Sequence, residues 1–112
     1  MTKKKKTYLA LQKVRDFIDE QSEVSRIEYL NLVDRLEDEG YLIEPFAKKL
    51  DTDLFEIRIR KGKQIRVFYF DHENDYIFGV HAFVKKTQKT PKQEIKQAQK
   101  IISEIKRGEY NE

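Results

Sequence analysis

LFEIRIRKGKQIRVFYF, residues 54–70, decides how the chain folds. In LFEIRIR, Phe55, Ile57 and Ile59 alternate with Glu56, Arg58 and Arg60, the period-two pattern of a strand with one apolar and one charged face. KGKQ reads as a turn, and IRVFYF as a second strand, apolar apart from Arg66 and so central in its sheet. The register between them sets where Arg66 points. A four-residue loop over 61–64 sets residue 60 against 65 and sends Arg66 to the Ile59 face. An odd loop or a bulge sets 60 against 66 and gathers three arginines on one face. The odd register is expected, because it spares the core an arginine.

Outward from this hairpin, DHEND (71–75) reads as a turn and YIFGVHAFV (76–84) as a third buried strand. Thr90 then N-caps a helix with Pro91 at its first position and Gln93 where a capping box takes an amide. Ile95, Ala98, Ile102 and Ile105 form its docking stripe, Gly108 ends it, and GEYNE remains as a tail. Upstream, residues 41–53 with Pro45 read as an irregular crossing. Residues 22–40 read as a helix with a Ser25/Glu28 capping box, a stripe of Ile27, Leu30, Val33 and Leu36, and Gly40 as its stop. Residues 8–21 carry Leu11, Val14, Phe17 and Ile18 at helical spacing, and a polar turn at Ser22 joins the two helices.

The order helix, helix, strand, strand, strand, helix predicts a single α+β domain over 1–112. Two N-terminal helices, an antiparallel sheet of three to four strands and a C-terminal helix make it up, with the helices on one sheet face. With 112 residues the chain supports one modest core. The absence of cysteine excludes disulfides and thiolate chemistry, and the two histidines, His72 and His81, give no metal-ligand spacing. No run is apolar enough for a signal peptide or a membrane span, so a cytoplasmic protein without membrane association is expected.

The net charge of +3 hides an uneven distribution. Residues 54–100 carry 11 Lys/Arg against 5 Asp/Glu, giving +6, whereas residues 1–53 carry 10 against 12, giving −2. An anionic partner such as nucleic acid is expected on the second half. Glu56, Arg58 and Arg60 share a face on which two guanidinium groups can converge on a phosphate, although an ordinary solvated charged face has the same composition. Lys85, Lys86, Lys89 and Lys92 crowd the approach to a helix N-terminus, where cations are unfavourable unless an anion binds. Tyr69 is the strand aromatic most suited to stack on a base, with core packing as the competing role. His81 is a candidate proton-transfer group or, more commonly for such a position, a hydrogen-bonded core histidine.

The array LFEIRIRKGKQIRVFYF followed by HAFVKKTQKTPKQEI resembles the RelE/HigB-like toxins of bacterial and phage toxin–antitoxin modules, in the phage-derived branch marked by KKTQKTP. The resemblance implies an α+β toxin with a basic sheet face. Such a toxin cuts mRNA in the ribosome without metal or cofactor, and is held inactive by a cognate antitoxin, in this branch often a helix-turn-helix HigA-like protein. By motif position Arg58 matches a catalytic basic residue, Arg66 the arginine that holds the phosphate, and Lys85 and Lys86 the basic pair ending the last strand. Glu56 is the candidate base, with a lysine whose pKa is lowered by its neighbours as the alternative, and His81 is the outside candidate for the acid. Arg60, Lys61, Lys63, Tyr69, Lys89 and Lys92 are the expected RNA contacts. Two rivals are a module that binds nucleic acid without cutting it and a toxin of the same fold aimed at DNA gyrase. Relatives often begin with a strand, for which KKKKTYL is a weak candidate.

Overall fold

A computed structural model describes residues 4–72 and 75–112. The elements are β1 (Thr7–Ala10), α1 (Gln12–Asp19), α2 (Glu23–Glu39), β2 (Ala47–Asp51), β3 (Leu54–Ile59), β4 (Ile65–Asp71), β5 (Tyr76–Val84) and α3 (Lys92–Lys106). They form one five-stranded sheet of order β1-β5-β4-β3-β2. Strands β2 to β5 run as an antiparallel meander, and β1 lies parallel to β5 at the edge. The turn expected at 71–75 includes residues 73 and 74, outside the described residues.

The sheet has more strands than the sequence predicts, because both edge strands fall in segments whose local pattern points elsewhere. Residues 7–10, most of which lie in the expected first helix, pair with the edge of β5 instead, and Thr7 N donates to Asp75 O at 2.7 Å. A ladder along an otherwise unpaired edge outweighs four residues of helical periodicity. The Tyr8 ring crosses β5 at Gly79, where a Cβ would overlap its hydroxyl, and that hydroxyl accepts from Tyr29 Oη at 2.9 Å. Helix α1 therefore starts at Gln12. Residues 47–51, expected to be irregular, pair with β3 as an edge strand whose exposed Lys48 and Lys49 guard it against further pairing.

Helices cover both faces of the sheet, where one was expected. Val14, Ile18, Tyr29, Leu32 and Leu36 of α1 and α2 pack on Ile57, Ile59, Ile65, Val67 and Tyr69. Ala98, Ile101 and Ile102 of α3 pack on Leu54, Phe68, Phe70 and Val80 of the opposite face. Central strand β4 is apolar on both sides, so each side needs a cover. On α2 the buried line is Ser25, Tyr29, Leu32 and Leu36, and Ile27 and Leu30 of the expected stripe are 49% and 57% exposed.

The hairpin register explains Ser25 and Glu28. Ile59 faces Ile65 and Arg58 faces Arg66, leaving an odd loop of residues 60–64 with Gly62 at φ 81°. Glu28 Oε1 accepts from Arg60 N and Lys61 N at 2.8 and 2.7 Å, and Ser25 Oγ donates to Lys61 O at 2.9 Å. The pair read as a capping box thus anchors the loop, and Ser22 is the N-cap, accepting from Ser25 N. At the other end, the C-terminal tail folds back: Tyr110 packs on the α3 core and Glu112 Oε1 accepts from Gln12 N at 2.9 Å.

Candidate functional site

Helix α3 covers only part of its sheet face, and the strands turn from apolar to charged where its cover ends. Lys48, Glu56, Phe68 and His81 lie in one cross-strand row. Arg58, Arg66 and Phe83 form the next, and Lys85 follows beside Gln64, whose carbonyl accepts from Lys85 N at 2.7 Å. A β-bulge in β5 between the partners of Phe68 and Tyr69 turns Val80 and His81 to the same side.

Glu56 is the hub of the charged rows, with only 1% of its surface exposed. Its Oε2 accepts from Arg58 Nε at 3.2 Å, while Oε1 accepts from Thr90 Oγ1 at 3.0 Å and lies 4.0 Å from Arg66 Nε. Arg66 also donates from a terminal nitrogen to Ile65 O at 3.0 Å, and its buried Nε has no hydrogen-bond partner among the described residues. Burial pushes the Arg66 guanidinium pKa down, Glu56 pushes it back up, and Arg58 and Arg60 lower it again. The Lys85 ammonium is also lowered, first by loss of hydration and then by Arg66. Three cations around one carboxylate leave unneutralised positive charge beside a cleft of about 410 Å³ lined by Gln64, Arg66, Lys85, Lys86, Thr87 and Gln88. Such a cleft suits an oxyanion with several oxygens, because guanidinium forks and an ammonium donate from different directions.

The expected parity is present, with Arg66 on the Arg58 face, but its partner is Arg58 rather than Arg60. Arg60 lies in the hairpin loop with Lys61 and Lys63, held toward α2 through its backbone. Lys61 lines a separate groove with Val24, Ile27 and Arg35. Tyr69, expected as a base-stacking group, is a correction: it is 3% exposed on the opposite face, stacked on Phe55 at 5.2 Å, and burial raises its hydroxyl pKa. His81 is separated from Glu56 by Phe68 in the same row. Its Nε2 lies 3.1 Å from Glu94 Oε2, its buried Nδ1 has no partner among the described residues, and burial lowers its pKa against the opposing effect of Glu94. Lys86 and Lys89 are exposed along the connection to α3, and Lys92 is exposed at its first position.

Two participants carry no local signal. Thr90 reads as an N-cap beside Pro91, yet Pro91 takes the cap position without a side-chain bond and the Thr90 hydroxyl reaches Glu56, 34 residues away. Phe83 reads as one more core aromatic of β5, yet it is half-buried beside Arg66. Among the described residues no group of three His, Cys, Asp or Glu side chains could hold a metal ion, and no helix is long and apolar enough to cross a membrane.

Comparisons with known proteins bear on this arrangement. A family model described as "Phage derived protein Gp49-like (DUF891)" matches residues 16–103. The crystal structure of an archaeal RelE–RelB complex from Pyrococcus horikoshii OT3 is similar to the chain with a TM-score of 0.57. The match covers 71% of this chain and 94% of that one, at 20% identity, which makes it a likeness of fold. It bears out the α+β class, with a mixed five-stranded sheet in place of three to four antiparallel strands. No curated protein matches the sequence.

Proposed function

The chain belongs to the phage-derived Gp49-like family, and from that premise and its RelE-like fold we propose that it is the toxin of a toxin–antitoxin module. Its activity in this proposal is endonucleolytic cleavage of mRNA on the ribosome, in the cytoplasm, and its cognate partner is a helix-turn-helix HigA-like antitoxin. The observation that carries the reading is the pair Arg58 and Arg66, gathered by buried Glu56 at the end of the α3 cover, with Lys85 and Lys86 beside them. An exposed face of solvated charges would not bury a carboxylate to hold its arginines.

In the proposed reaction the 2′-hydroxyl of one nucleotide attacks the adjacent phosphorus. The O2′–P bond forms, the P–O5′ bond breaks, one proton leaves O2′ and one reaches O5′. The products are a 2′,3′-cyclic phosphate and a 5′-hydroxyl end. The nucleophile belongs to the RNA and the compensating charge to the chain, so the step asks for no metal. Arg58 and Arg66 take the extra negative charge of the phosphorane, where each well-placed donor contributes on the order of 10²-fold or more in rate. Lys85, its ammonium pKa lowered by loss of hydration and by Arg66, accepts the 2′ proton in its neutral amine form, and the Lys86 ammonium at the rim is the proton source for O5′. Glu56 is a positioning residue in this scheme: both its oxygens are engaged and it is closed to substrate.

Induction of the wild type in bacteria should arrest growth and produce new mRNA ends. Arg66→Ala should relieve the arrest and reduce cleavage on the order of 10²-fold. Equal toxicity of the two chains would remove Arg66 from the site. Intact mRNA with RNA still bound would favour the non-cutting module. Intact mRNA with damaged DNA would favour gyrase.

A further inference from the structure

A second cleft adjoins the arginine cleft and shares Lys86 and Thr87 with it. Its volume is about 370 Å³, within the range of small-ligand pockets; Phe83 and Pro91 supply apolar side chains to its lining, and Gln93 and Glu94 line it as well. Phe83 is packed from within: His81 stacks on it with ring centroids 5.7 Å apart, and Phe68 meets it edge-on at 5.2 Å. The ring is therefore held rigid while remaining half-buried at the cleft. Glu94 is equally fixed. With Nδ1 unpartnered, the His81 tautomer that satisfies the carboxylate carries its proton on Nε2 and donates to Glu94 Oε2 at 3.1 Å. Among the described residues Glu94 Oε1 has no hydrogen-bond donor, and the side chain retains 24% exposure.

We propose that this cleft is a nucleobase pocket, in which Phe83 stacks on the base and Glu94 accepts a hydrogen bond from its exocyclic amino group. Adenine, cytosine and guanine present such an amino donor on the edge used for pairing, whereas uracil has no amino group and its one N3–H lies between two carbonyl oxygens that a carboxylate repels. Arg66 and Phe83 are directly paired on neighbouring strands, about 4.8 Å apart in the hydrogen-bonding direction. A nucleotide can thus place its phosphate on the arginines and its base on Phe83 together. His81 acts as a positioning residue for Glu94. The inference rests on the RNA reading above and adds a preference among bases.

Fluorescence anisotropy with short oligo(A), oligo(C) and oligo(U) tests it on the full chain. The wild type should bind oligo(A) and oligo(C) several-fold more tightly than oligo(U). Glu94→Gln, which still accepts from His81 but can turn an amide N–H toward uracil, should abolish that difference. Phe83→Ala should weaken all three by roughly tenfold, the scale of one lost base stack. Phe83→Leu, which keeps the apolar volume and loses the aromatic face, should show the same loss if the alanine variant fails to fold. An unchanged base order in Glu94→Gln, or wild-type affinity in Phe83→Leu, overturns the pocket while leaving the arginine site standing. Absence of RNA binding by the wild type, or undiminished binding by Arg66→Ala, overturns the RNA reading itself.

Discussion

Glu56 alternates with Phe55 and Ile57 in β3, and the alternation that sends Ile57 into the core under α2 presents the carboxylate to Arg58, Arg66 and Thr90. The shared face of Glu56 and Arg58 was legible in the sequence because it follows from period two alone. Arg66 could be added by the argument that an arginine avoids the core, which selects the odd loop. Thr90 could not, because nothing near Pro91 in the chain signals a bond to a strand 34 residues earlier. His81 carries the clearest titration at this scale. Burial lowers its pKa, the Glu94 hydrogen bond opposes this, and nearby Lys13 lowers it again. As pH falls the unfolded chain, with histidine near 6.5, takes up its proton first. The stability tied to neutral His81 is therefore fully present above the unfolded value and lost as pH falls through the depressed folded value. Urea unfolding of the wild type should weaken more steeply below about pH 6.5 than that of His81→Gln; parallel curves would show that the imidazole contributes nothing to the pH dependence.

Helix α2 offers two apolar lines, and the fold buries the one that sequence reading passed over. Ile27, Leu30, Val33 and Leu36 repeat at helical spacing, but so do Ser25, Tyr29, Leu32 and Leu36. The second line wins because Ser25 must meet the β3–β4 loop and Tyr29 must meet Tyr8, contacts made by elements remote in sequence. Substitution should separate the lines clearly. Ile27→Ser and Leu30→Ser should each change stability by no more than about 0.5 kcal/mol, whereas Leu32→Ala should cost about 2–5 kcal/mol in urea denaturation. The reverse order would contradict the orientation of the helix. The edge strands teach the same lesson: β1 and β2 form because β5 and β3 offer them ladders, and their own patterns are too short to announce it.

Across the whole molecule, six of the eleven Lys/Arg of residues 54–100 gather in two places. Arg58, Arg66, Lys85 and Lys86 converge beside α3, and Arg60 and Lys61 are drawn to the α2 side by Glu28. Counterion release then predicts unequal effects on RNA binding. Each phosphate contact contributes a slope of about −0.7 in log affinity against log salt for a single strand. Arg66→Ala should reduce the magnitude of the measured slope by about 0.7, and Lys61→Ala should leave it unchanged. A loss of slope in Lys61→Ala equal to that in Arg66→Ala would extend the binding face around the hairpin.

The α+β class, strands β3 to β5, the docking helix α3 and the company of Arg66 with Arg58 can be read along the chain alone. Each of these follows from a periodicity or a steric preference acting over a few residues. Which face of the sheet stays open is set by packing between distant elements. Strand β4 is apolar on both sides, so alternation groups Tyr69 with Val67 and Phe68 with Phe70 without saying which group meets α1 and α2 and which meets α3. That choice buried Tyr69, brought Phe83 to the rim of a cleft and carried Thr90 to Glu56. Local pattern fixes which side chains share a face, and long-range packing fixes what covers it.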